Sequence, residues 1–147
     1  MTRRLGLKIV AAIALLLFPL LLSACGGSST DGGWLAHGSP SEVYFLNISG
    51  GTGTVDYASN IAGRGINRFH GTLIIHDDNT IEVDGMQDGE LYGCSACPYQ
   101  MTNGNLVINY TFDSYSTGQP VSGTMTFSQS DPTSYDNAVQ TLPASSQ

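Results

Sequence analysis

The strongest constraint on the fold is a repeated alternation of short, β-rich runs with glycine, asparagine and aspartate turns. Its clearest instance is Asn103-Gly104, which sits between Pro98–Thr102 and Asn105–Phe112. A two-residue loop of this composition admits the positive φ angles of a tight hairpin, so it predicts two paired antiparallel strands. In the second run Leu106, Ile108, Tyr110 and Phe112 alternate with Val107, Asn109 and Thr111, which gives one apolar face. Arg68–His76 is followed by the turn residues Asp77-Asp78-Asn79 and then by Thr80–Asp84. Glu42–Ile48 is dense in β-branched and aromatic residues, and Gly50–Gly53 separates it from Thr54–Tyr57. Gly118-Gln119-Pro120 leads into Val121–Phe127, where Val121, Met125 and Phe127 share parity.

Six to eight such strands must bury one face. They do so by stacking as two sheets or by closing into a barrel. The expectation is an all-β domain, a small antiparallel barrel or sandwich. Ala58–Asn67 reads as a loop. No window after the N-terminal segment has the periodicity of an amphipathic helix, and Ser128–Gln147, rich in Ser, Asp, Pro, Gln and Asn, reads as an edge followed by a loose polar tail.

The N-terminus is of another kind. Met1–Lys8 carries Arg3, Arg4 and Lys8 with no acid, and Ile9–Leu22 is fourteen residues without a charge. As a helix that stretch reaches only ~21 Å, short of a ~30 Å hydrocarbon core. A secretory signal fits better than a permanent span. Leu22-Ser23-Ala24-Cys25 then resembles the lipobox of bacterial lipoproteins. The resemblance implies a diacylglycerol on the Cys25 thiol, cleavage before Cys25 and acylation of the new amino group. Gly26 in the next position implies the outer membrane. Arg3-Arg4 is partly similar to a twin-arginine export motif, with Gly6 where that motif prefers Phe. The chain thus divides into a signal peptide (1–24), a glycine- and serine-rich tether (25–33), a β domain (34–128) and a polar C-terminal tail (129–147).

All three N-terminal cations fall within the signal. The remainder holds Arg64 and Arg68 against twelve acids, a formal charge of about −10, with no lysine. Such a surface repels phosphate backbones and anionic headgroups, which argues against nucleic-acid binding and leaves the lipid as the membrane contact.

Within the β domain, Cys94-Ser95-Ala96-Cys97 is the most pointed motif. In an exported protein the pair predicts a disulfide, with redox exchange and metal ligation as alternatives. A metal would need further donors from His37, His70, His76, Asp77 and Asp78. His70 and His76 lie ~20 Å apart along one strand, too far to share an ion. The acids Asp77 to Glu90 read as a solvated hairpin tip, and nothing matches a Gly-x-Ser-x-Gly nucleophile. No catalytic residue, metal site or cofactor is assigned. The tyrosines Tyr44, Tyr57, Tyr92, Tyr99, Tyr110 and Tyr115 exceed what a core needs. With Trp34, the residues Tyr44, Tyr99 and Tyr110 are the expected ligand or partner face.

Gly32-Gly33-Trp34 resembles the Gly-x-Trp that opens lipocalin-type barrels, and the segments 71–85, 99–112 and 121–131 resemble the meander of bacterial lipocalin-like lipoproteins. That likeness implies a barrel around a small apolar ligand. The Cys-x-x-Cys pair is similar to that of copper-responsive members, where it lies near the barrel's start. The functional expectation is a lipid-anchored, non-enzymatic binding or accessory domain for an envelope protein or a small apolar ligand. The alternative is a metal- or redox-responsive sensor using Cys94 and Cys97.

Overall fold

The computed structural model describes residues 29–113 and 117–145. Cys25, the signal segment before it and Tyr115 lie outside the described residues. Eight antiparallel strands follow one another as a meander and close into a barrel. They are β1 (Gly32–Ala36), β2 (Glu42–Ser49), β3 (Thr52–Ile61), β4 (Gly65–Ile75), β5 (Thr80–Asp84), β6 (Cys97–Thr102), β7 (Asn105–Asp113) and β8 (Pro120–Gln129). The sandwich, equally compatible with the strand pattern, is not what forms. Each strand pairs with its sequence neighbour, and β1 closes on β8 through Trp34 opposite Gln129 and Leu35 opposite Ser128.

The turns have the chemistry that their sequences demand. Asn103 and Gly104 adopt φ of 53° and 77°, the double left-handed geometry that suits a hairpin's twist, and Asn79 turns the β4–β5 hairpin at φ 61°. Parity then decides what faces inward. Trp34, Tyr44, Leu46, Ile48, Val55, Tyr57, Leu73, Ile81, Val83, Leu106, Ile108, Met125 and Phe127 pack in one buried cluster. These side chains fill the interior, as expected for an eight-stranded barrel of this size. Tyr110 lies across Gly123, its cross-strand partner, where any Cβ would strike the ring.

Two expectations need correction. Ala58–Asn67 is not a loop: β3 and β4 run through it in register, from Ala58 opposite Arg68 to Ile61 opposite Gly65. The turn is confined to Ala62–Arg64. The C-terminal segment is not a loose tail either. Its Pro132–Thr141 stretch forms a helix, α1, begun by Asp131, whose carboxylate accepts the Ser134 N–H at 2.9 Å, with proline in the first turn. Tyr135, Val139 and Leu142 bury one side of it against the outward residues Val43, Phe45 and Ala58.

Beyond α1 the chain is clasped to the β3–β4 turn. Asn60 Nδ2 donates to the Leu142 carbonyl at 2.7 Å, and the Ser145 N–H donates to the Asn60 carbonyl at 2.9 Å. The exposed Arg68–Asp136 pair, 3.8 Å apart, adds little. Packing holds the helix. Phe45 is the largest strand residue beneath α1, so Phe45→Ala should destabilise the protein by about 3–5 kcal/mol in urea unfolding, the cost of emptying a core phenylalanine site. Amide exchange should rise first over 132–141. A loss well below 1 kcal/mol would mean that α1 is not part of the core.

Candidate functional site

The barrel has two unlike ends. The chain enters at the end that carries the β2–β3, β4–β5 and β6–β7 turns, where the Gly50 N–H donates to Asp31 at 2.9 Å. The opposite end carries the other connections, among them the long Gly85–Ala96 loop between β5 and β6. This loop folds over the barrel mouth and buries Met86, Leu91 and Cys94. Gly71 allows it to turn in, because a Cβ there would lie 2.4 Å from the Asp84 carbonyl and 3.2 Å from Met86.

One tyrosine pins the loop. The Tyr44 hydroxyl donates to the Glu90 carboxylate and accepts the Glu90 N–H at 2.7 Å. Gly89, at φ 90°, lies directly on that hydroxyl and leaves no room for a side chain. Tyr57 stacks beside Tyr44 with ring centres 4.6 Å apart, and its hydroxyl donates to Glu42 at 2.8 Å. Burial, helped by the neighbouring carboxylates, pushes both phenols well above the ordinary tyrosine range. Tyr135, on the buried side of α1, is pushed up to about 12, again by burial first and then by Asp56.

The expected aromatic face does not assemble on the outside. Trp34 is 2 % exposed, its indole N–H spent on the Thr30 carbonyl at 2.7 Å, and Tyr44 is fully buried. Tyr99 and Tyr110 are half-buried and pack on the inner cluster. All four sit at inward parity, so the residues that looked surplus are barrel filling. Cys94 and Cys97 come within disulfide-bonding distance, with Cα atoms 5.5 Å apart, and both are buried. His70 and His76 take separate carboxylates on the outer surface, Asp56 at 2.7 Å and Glu82 at 3.1 Å. His70 and His76 are therefore not brought to the cysteine pair. Among the described residues no cluster of three His, Cys, Asp or Glu side chains could hold a metal.

An open groove runs between the capping loop and β7. Its widest part, about 440 Å³, is lined by Gln87, Asp88, Gly89, Tyr92, Phe112 and Asp113. It continues through about 270 Å³ past Gly93 and Thr111, then about 150 Å³ bounded by Ser95, Ala96, Pro98 and Asn109. Tyr92, one of the surplus tyrosines, is the large aromatic side chain left out in solvent on the loop, at 52 % exposure. The lining holds two carboxylates and no cation. The sequence signal for Tyr92 was its place among Gly89, Gly93 and the polar residues of an unpatterned segment, unlike Tyr44 or Tyr110 within strands.

The chain matches no protein-family model and no curated protein sequence.

Tyr44→Phe keeps the ring and orphans the Glu90 N–H. The expected cost is about 1–3 kcal/mol, confined to the capping loop, whose amides should exchange faster while those of β7 and β8 hold. Equal acceleration everywhere would show that Tyr44 does not act on the loop. Alkali supplies a second measurement. Phenols raised in the folded state keep their protons above pH 10, where the unfolded chain's tyrosines ionise. The protein should therefore be at full stability below about pH 10 and lose it progressively above. Tyrosinate absorbance followed in parallel with circular dichroism should show these buried phenols ionising only as the fold is lost.

Proposed function

We propose that this chain is a lipid-anchored bacterial envelope lipoprotein whose barrel is a non-enzymatic binding domain, presenting the loop-capped end to a protein partner. The observation that carries this reading is the polarity of the barrel. The strand entry lies at one end and the groove opens at the other. A lipid on Cys25 would leave six residues before Asp31, a reach of at most ~20 Å. The groove would then face away from the membrane, towards whatever lies beyond it. The interior offers a small apolar ligand little room, because Tyr44, Leu46, Ile48, Leu106 and Phe127 already occupy it. That favours a partner at the rim over a ligand in a calyx.

Mass spectrometry of the protein from its native envelope should find Cys25 as a diacylglyceryl, N-acylated terminus, and Cys25→Ser should leave an unprocessed precursor. A photo-crosslinking residue placed at Gln87 or Tyr92 should give protein adducts in intact cells, whereas one at Asn103, on the opposite end, should not. An unmodified Cys25, or adducts from Asn103 equal to those from Tyr92, would defeat the reading.

A further inference from the structure

The register beside the groove leaves part of the barrel wall unzipped. β6 pairs with β7 from Thr102 opposite Asn105 up to Tyr99 opposite Ile108, and the ladder stops there. β7 itself continues to Asp113, still paired on its other side with β8 through Thr111–Ser122 and Asp113–Pro120. Asn109 still lies opposite Pro98, and the last four residues, Tyr110–Asp113, therefore have a strand on one side only.

Two features of β6 cause this. The Tyr99 N–H is spent on the Asn79 carbonyl at 3.0 Å, on the β5 side. Alternation along a strand then aims the main chain of Pro98 at β7, and proline has no N–H to extend the ladder. Just before it, the Cys94–Cys97 turn keeps the chain on β5, where the Cys94 carbonyl accepts the Val83 N–H at 2.7 Å. By the same alternation the Pro98 carbonyl faces the Asn109 N–H, and the main-chain groups of β7 left with no strand beside them belong to Thr111 and Asp113, which face the groove. Among the described residues no backbone hydrogen bond joins them to the capping loop.

We infer that this open edge of β7 takes an extended, basic polypeptide segment as an added strand. The inference rests on the reading of the groove-bearing end as the partner-binding end. Strand addition supplies main-chain hydrogen bonds from two residues over ~10 Å, enough for about three residues of guest. Charge decides which guest. Asp88 and Asp113 flank the wide end and the lining has no cation, so a lysine or arginine at the guest's end finds two carboxylates. Tyr92 and Phe112 offer apolar contact to a side chain between them. A second copy of this chain carries the same acids and the same net negative charge, which opposes edge-to-edge pairing.

The test uses the full protein purified in a non-ionic detergent and two capped peptides, Lys-Thr-Val-Thr-Val-Lys and its twin with Glu at both ends. The basic peptide should bind and slow hydrogen exchange at the amides of Thr111 and Asp113. The acidic twin should bind at least about tenfold more weakly, and the double exchange Asp88→Lys with Asp113→Lys should reverse that preference. Methylating alternate amides of the basic peptide should abolish binding. Thr111→Pro should also abolish it with a nearly unchanged melting temperature, since the N–H removed has no partner in the barrel. The inference is overturned if those two amides are already protected in the free protein, or if both peptides bind equally. Protection that depends on protein concentration alone would instead make a second copy the occupant and overturn it too. Crosslinks from Tyr92 without binding of the basic peptide would refute strand addition and leave the binding-domain reading standing. No crosslinks together with tight basic-peptide binding would do the opposite.

Discussion

Everything in this fold depends on a short seam. A meander of eight strands gains a closed core only if its first strand meets its last, and here the junction is two residue pairs long, Trp34–Gln129 and Leu35–Ser128. The approach is close enough that a Cβ on Gly33 would lie 2.4 Å from the Ser130 carbonyl and 2.9 Å from the Phe45 ring. Glycine at this position lets β8 arrive, and the Ser130 N–H then donates to the Gly33 carbonyl at 2.8 Å. So brief a ladder would be a weak point by itself. It is covered from outside, because α1 follows β8 directly and lays Tyr135 and Val139 over Val43 and Phe45. Closure and helix docking are therefore one event. The strand that seals the barrel also delivers the element that protects the seal.

Closure has a consequence for where chemistry can occur. Large side chains from every strand converge inside, so the open surfaces lie at the rims and on the outer wall. One rim is made of tight turns with little relief. The other is spanned by a loop that buries three apolar residues and is held by Tyr44 from within. An interior residue thus shapes an exterior surface: the position of Glu90 fixes Gly89 and Asp88, and these form one wall of the groove.

Strand number, hairpin turns and inward parity were legible from local patterning, since each depends on residues within a few positions of one another. Asn103-Gly104 and the Leu106–Phe112 alternation predict the β6–β7 hairpin that forms. The helix was missed because only Tyr135, Val139 and Leu142 carry its apolar side, amid Ser, Asp, Asn and Gln that read as tail. Two local signs were available. Asp131-Pro132 is a helix start, and the unbroken run Val43-Tyr44-Phe45-Leu46 is too apolar for a strand with one wet face. That run needs a cover on each side, and α1 is the outer one. For a related reason Trp34 and Tyr44 are taken from any outer partner face, and with Tyr99 and Tyr110 they lie on the inner wall. Counting tyrosines says how many there are, whereas parity relative to a closed wall says which way each points.

The groove was not legible at all, because it is produced by a mismatch of lengths. β7 is three residues longer than β6, and the shortfall comes from Cys94–Cys97 and Pro98 acting at the start of β6. A disulfide across so small a loop constrains the unfolded chain weakly, contributing ~2 kcal/mol at most. The pair, within disulfide-bonding distance, closes a compact turn against β5 at the place where an extended chain would otherwise run beside β7 and fill the gap. Pro98 then denies the ladder its next donor. Among the described residues the two cysteines belong to no cluster of three His, Cys, Asp or Glu side chains that could hold a metal, and with Pro98 they keep Thr111 and Asp113 of β7 open on the groove side. The Cys-x-x-Cys turn thus shapes the wall of the groove.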